Sequence, residues 1–243
     1  MKPDAYAALM AMQDQHWWYT GRRTVVDTIL RTNFASHTRS ILDIGSGFGG
    51  MLSCLLPYGT VDCTEPNPHA WNELRRRGAA AVHDVAGFPD EVPDKRYDLV
   101  TMFDVLEHIE DDRKTLRTIY SRLLSPAGAI LLTVPAHNWL WSRHDTDHHH
   151  FRRYTMGRLK TILTESGFES VQTGYFMSYL FPIAVVQRIV DNLLPSSRST
   201  TEIPSPVVNR ALTRIFVLEG RRFSFRSYPI GLSIAALAYK NAR

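Results

Sequence analysis

Four of the chain's ten histidines fall within SRHDTDHHHFRRYT (142–155), together with two aspartates and three arginines. Imidazoles change charge near neutral pH, so they can move protons or ligate metals. Guanidinium groups hold anions through paired hydrogen bonds. A second stretch, DVLEH (104–108), sets Asp104, Glu107 and His108 close together. Four readings of the histidine run compete. An affinity-tag remnant is disfavoured, because the run is internal and only three long. A solvated loop fits the fact that not all of these side chains can face one cavity. A metal site would draw on Asp104, Glu107, His108 and one loop histidine, a mixed N/O set for a hard or borderline divalent ion. Glu107 also opens a helix, however, where an acid is favourable without metal. The fourth reading, a metal-free active-site lid, is the one adopted. His108, His144 and His149 are its candidates for base or orienter, and Arg152, Arg153 and Tyr154 its candidates for holding substrate.

The glycine-rich turn LDIGSGFGG (42–50) carries the second kind of chemistry. Gly45, Gly47 and Gly50 have the G-x-G-x-x-G spacing of a nucleotide-binding turn, and Glu65 lies twenty residues past Gly45, placed for a ribose hydroxyl pair. Asp43 selects among cofactors. A pyrophosphate beside it would meet a repelling anion, whereas S-adenosylmethionine brings an ammonium and a sulfonium. In a partly desolvated crevice the sign of that interaction decides the outcome. A nicotinamide-dependent oxidoreductase and a non-catalytic nucleotide-binding module remain as alternatives.

These residues need a scaffold. RRTVVDTILRTN (22–33) has helical apolar spacing, and short buried strands recur at 40–45, 60–65, 97–104 and 128–135, with helices at 68–78 and 112–124 between them. A weaker strand covers AAAVHD (79–84). After the histidine run come a helix at 155–166, a strand near 168–175, a mostly helical segment and a last strand at 230–239. Alternating strands and helices predict a doubly wound α/β fold with a mostly parallel seven-stranded sheet. Ligands then bind at the C-terminal ends of the strands, where both chemical stretches emerge. The expected divisions are an N-terminal helical cap (1–35), a cofactor-binding core (36–175), a helical insertion (176–227) and the closing strand (228–243).

In order along the chain, ILDIGSGFGG, VDCTEPNP, HDVAGFP, YDLVTMFDVLEHIEDD and LLSPAGAILLTVP resemble the successive motifs of class I S-adenosylmethionine-dependent methyltransferases. HWWYTGRR, HDTDHHHFRRYT and PIGLSIAALAYK resemble a bacterial type-11/type-23-like subgroup of them. The resemblance implies a Rossmann-like fold and an S-adenosylmethionine cofactor, with Asp43, Gly45 and Gly47 along its methionine part. It also implies Glu65 on the ribose, Asp84 and Val85 at the adenine, and Phe103 and Asp104 as the far wall. The subgroup's members act on lipids, sugars or secondary metabolites, so the expected reaction is methyl transfer, with oxygen as the expected site, to a small or lipid- or sugar-linked acceptor.

Trp17, Trp18 and Tyr19 in HWWYTGRR read either as core of the cap or as a flap over the acceptor. In the insertion, apolar positions alternate with Arg210, Arg214, Arg221, Arg222 and Arg226. Its expected partners are the domain itself, a second copy of the chain, or lipid headgroups. Net charge of +4 admits anionic partners, but no basic groove interleaved with aromatics points to nucleic acid. Two cysteines, no signal-peptide pattern and no long apolar run lead to the expectation of a soluble cytoplasmic protein, with peripheral contact at the inner face of the membrane through 176–226.

Overall fold

The computed structural model describes residues 10, 12–34, 39–84, 87–193 and 204–241. Its centre is a seven-stranded sheet of order β3-β2-β1-β4-β5-β7-β6. The strands are β1 (Arg39–Ile44), β2 (Gly59–Thr64), β3 (Ala81–His83), β4 (Tyr97–Phe103), β5 (Leu124–Pro135), β6 (Glu169–Phe176) and β7 (Ser233–Tyr239). β1 to β5 pair in parallel, and β7 inserts antiparallel between β5 and β6. The fold class is the one the strand–helix alternation predicts.

The strands are apolar on both faces because helices cover both. Along β5, Leu131 joins a core shared with the N-terminal helix α1 (Trp17–Asn33), while Ile130 and Leu132 face a second core beneath α4 (Asp112–Thr118) and α6 (Met156–Glu165). The short α2 (Leu52–Leu55) and α3 (Pro68–Arg76) also lie on the α1 face. Asn67 starts α3 by accepting the His69 N–H at 3.1 Å, and Asp111 starts α4 by accepting from Lys114 at 2.8 Å. A single π turn, Ile119–Leu123, then leads directly into β5. That strand begins at Leu124, four residues earlier than its apolar run suggests, because Leu124 pairs with Tyr97 across a bulge.

One element differs from expectation. The segment 143–147 of the histidine run is not wholly loop but forms a one-turn helix, α5 (Arg143–Asp147). Within the insertion, α7 (Phe181–Leu193) and α8 (Pro206–Arg221) pack on the domain itself, one of the partners expected for them. α8 crosses α1 at close range. A Cβ on Gly21 would sit 2.0 Å from the Phe216 ring, and one on Gly220 would sit 3.1 Å from Thr24. Buried Glu219 accepts the N–H groups of Ser178 (2.8 Å) and Tyr179 (2.9 Å), tying α8 to the chain that enters α7. The connection 194–203 lies outside the described residues. Among the described residues no helix is long and apolar enough to cross a membrane.

Candidate active site

Parallel pairing in register brings the ends of β1, β2 and β4 to one edge: Ile44 pairs with both Thr64 and Met102. The glycine turn leaves this edge. Gly45 donates to the Thr64 carbonyl at 3.0 Å and adopts φ +71°, a left-handed conformation that glycine adopts without steric cost. A side chain there would also strike Val105, 2.6 Å from the Cβ position. Gly47 has φ +55° and donates to Glu65 Oε2 at 2.8 Å, while the Asn67 N–H donates to Glu65 Oε1 at 2.9 Å. Glu65 therefore fastens the turn to the end of β2. Each of its oxygens keeps a second lone pair for a hydroxyl ligand.

Asp43 is buried at the end of β1, where Thr101 on β4 donates to its Oδ1 at 2.7 Å. Burial raises its pKa from the usual carboxylate range to about 6, against the hydrogen bonds and the Arg22 charge. Burial also raises Glu65, opposed by its two backbone donors. Two carboxylates held in this way lack a full complement of positive charge, which suits a cationic ligand. Asp84 lies exposed just past β3, and Val85 lies outside the described residues. Phe103 is buried at the end of β4.

The next residue, Asp104, has φ +56°, and His137 beyond β5 has φ +61°. Sparsely populated conformations of this kind gather at functional sites. Asp104 forms an ion pair with Arg22 and accepts from Thr133 Oγ1 at 3.1 Å. Arg22 in turn lies 5.2 Å from the Tyr19 ring centroid and 5.9 Å from that of Trp18. The HWWYTGRR stretch thus divides. Trp17 and Trp18 pack on Phe216, and Trp18 stacks on Phe176, so both belong to the core under α8. Tyr19 and Arg22 face Asp104.

The histidine run also divides. His150 Nδ1 lies 2.9 Å from Asp145 Oδ1, and its ring meets His108 edge-on with centroids 4.6 Å apart. Burial and the neighbouring His150 imidazole hold the His108 pKa down at about 4. His148 and His149 are exposed, and the side chain of His144 lies outside the described residues. The arginines are not rim groups of one kind. Arg153 is buried, with Nε 2.7 Å and Nη2 3.0 Å from the two oxygens of buried Asp145, and Nη1 donates to the Ala136 carbonyl. Its expected role in holding substrate is corrected: the low dielectric of the interior demands a partner for Asp145, and Arg153 supplies it. Tyr154 is likewise buried, its hydroxyl donating to Asp112 at 3.1 Å. Arg152 pairs with the same Asp112 at 2.9 Å and remains nearer the surface.

Several contributors carry no sequence signal of their own. Gln13, ahead of α1, accepts the Gly50 N–H at 3.1 Å, and Arg23 holds both the Gln13 and the Gly50 carbonyls. Only the proximity of HWWYTGRR to a glycine turn across the fold could have suggested them.

Comparison with known proteins gives the family and the fold. A family model described as "Methyltransferase domain" matches residues 17–173, more than half of the chain. The chain belongs to that family and is a class I S-adenosylmethionine-dependent methyltransferase. Among curated proteins compared by sequence, none matches. Solved structures that share its fold include the following three. A SAM-dependent methyltransferase from Archaeoglobus fulgidus is 20% identical with a TM-score of 0.57, over 90% of this chain and 94% of that one. One from Thermotoga maritima is 14% identical with a TM-score of 0.54, over 93% of each. Phosphoethanolamine N-methyltransferase 2 of Haemonchus contortus, solved with S-adenosyl-L-methionine, is 17% identical with a TM-score of 0.57, over 89% of this chain and 52% of that one.

The cofactor is S-adenosylmethionine, and the carboxylate placement predicts how its affinity responds. Asp43→Asn and Glu65→Ala are each expected to weaken cofactor binding at least tenfold, about 1.4 kcal/mol. With its pKa near 6, Asp43 is protonated at pH 5 and ionised at pH 7, and only the ionised form attracts a sulfonium or ammonium. Calorimetric titration should therefore show wild-type affinity rising between those pH values, and a flatter response in Asp43→Asn. Unchanged affinity in both variants would remove the assignment of these two residues to the cofactor.

Proposed function

We propose that the protein transfers the methyl group of S-adenosylmethionine to an oxygen of a small or lipid- or sugar-linked acceptor, under a closure formed by the loop after β5. The observation that carries this reading is the meeting of two groups of residues on one sheet edge. Asp43 and Glu65 stand at the ends of β1 and β2, and His108, in the turn after β4, meets His150 of the loop after β5. Methyl transfer is an in-line displacement with a good leaving group, so alignment supplies most of the catalysis. A hydroxyl acceptor also has to lose a proton, which side chains of the turn after β4 and the loop after β5 are suited to take up. Asp43, Gly45 and Gly47 would hold the methionine part, Glu65 the ribose, Asp84 with Val85 the adenine, and Tyr19 and Arg152 the acceptor side. Incubation with S-adenosylmethionine and polar and lipid extracts tests the reading. It expects S-adenosylhomocysteine together with a product one methyl group heavier, attached at oxygen. S-adenosylhomocysteine formation with a product methylated at nitrogen or carbon would sink the oxygen assignment.

The lipid-linked version is supported by the outer face of α8. Val207, Arg210, Arg214, Leu218 and Arg221 recur there at helical spacing and are exposed. Glu219, the helix's single acid, is buried. A face that is apolar and basic at once suits anionic headgroups, each nearby arginine adding about 1 kcal/mol at low salt. Replacing Arg210, Arg214 and Arg221 together by glutamine should lower sedimentation with phosphatidylserine vesicles by roughly tenfold or more, without altering cofactor affinity. Equal sedimentation of the two proteins would leave the helix as internal packing alone.

A further inference from the structure

One carboxylate in the molecule stands out. Glu107 follows β4 in the 3₁₀ turn Leu106–His108, is 1% exposed, and its Oε2 is buried without a hydrogen-bond partner. An acceptor left bare in the interior costs free energy unless something satisfies it. Two imidazoles surround it. One ligand atom each from Glu107, His108 and His150 lies within 4.8 Å of those of the other two. Two nitrogens and one oxygen at that spacing match the ligand set of a borderline first-row divalent ion.

The arrangement behind these ligands is also ordered. Asp145 holds His150 at Nδ1, and Arg153 clamps Asp145 through both oxygens. A carboxylate against Nδ1 fixes the His150 ring, the second-sphere pattern that orients metal-bound histidines. The backbone repeats the constraint. The His150 N–H donates to the Asp145 carbonyl at 2.9 Å, and the Phe151 N–H donates to the Glu107 carbonyl at 2.8 Å, fastening the loop to the turn. The ring of His108 hydrogen-bonds the backbone of His148. Asp104, which the sequence grouped with Glu107 and His108, belongs instead to Arg22 and Thr133. We propose that Glu107, His108 and His150 form a binding site for one divalent cation of the Zn2+/Co2+/Mn2+ type, at the junction of the turn after β4 and the loop after β5.

The inference does not rest on the acceptor or on methyl transfer, since binding of the ion is measured by itself. Metal-free full-length protein titrated with Co2+ should bind one ion per chain, develop visible absorption that Zn2+ then displaces, and unfold at a higher temperature when loaded. His108→Ala and His150→Ala should each weaken binding by about tenfold or more and abolish the thermal shift. Glu107→Gln, which keeps the shape of the buried side chain, should do the same. Substituting His148 and His149 together by alanine separates a built site from chelation by the exposed run, and should leave affinity within about twofold. Co2+ binding equal in wild type and His108→Ala would overturn the site. Loss of binding in the His148/His149 double variant would move the ion to the exposed run and overturn it equally.

Discussion

Replacing Arg153 by alanine is expected to destabilise the fold by about 3–5 kcal/mol, because it strands the Asp145 carboxylate in the interior. Asp145 is fully buried, and Arg153, 3% exposed, meets both of its oxygens. The carboxylate also organises the loop, accepting the N–H and hydroxyl of Ser142 and the ring of His150. An N–H, a hydroxyl and an imidazole do not replace a guanidinium that meets both oxygens at once. A chain of this size loses roughly 2–4 °C of melting temperature per kcal/mol, so the drop should be about 10 °C. Arg152→Ala should cost about 1 kcal/mol or less, since Tyr154 and Arg158 still face Asp112 and the pair is closer to solvent. Thermal unfolding of both variants decides it. If Arg153→Ala melted within a degree of wild type and instead raised the acceptor's Michaelis constant, the arginine would be the substrate group that its place in the sequence first suggested.

That contrast shows which parts of the molecule were legible in the sequence. The order of strands and helices was, because apolar runs and glycine stops are local signals. So was the meeting of Asp43, the glycines and Glu65 at one edge of the sheet, since they lie within one strand–turn–strand stretch. Partnerships across the fold were not. Adjacent Arg152 and Arg153 look alike in sequence, yet strand-like alternation after Phe151 sends one outward and the other inward onto Asp145. The same holds for the tryptophans. Trp17 and Trp18 resemble a binding flap until α8, two hundred residues away, is found packed against them. Glu219 reads as one more charge on an arginine-rich helix. Only the arrival of the α7 entry at its side chain makes it an interior cap.

The histidines divide by the same logic, and their functional test is the variant His108→Ala. It is expected to lower turnover about 10²-fold, close to 2.7 kcal/mol of transition-state stabilisation, while cofactor affinity stays within a few-fold. The split follows from position. His108 emerges after β4 and contacts His150, while at the ends of β1 and β2 Asp43 accepts from Thr101, Gly45 donates to the Thr64 carbonyl and Gly47 donates to Glu65. A residue that only buttressed the glycine turn would change both quantities together. His149→Ala, whose side chain is exposed on the outer bend of the loop, should lower turnover less than His108→Ala does. The two constants are separable by calorimetry for the cofactor and by steady-state release of S-adenosylhomocysteine for turnover. Wild-type turnover in His108→Ala, His144→Ala and His149→Ala alike would mean that these imidazoles take no part in the reaction.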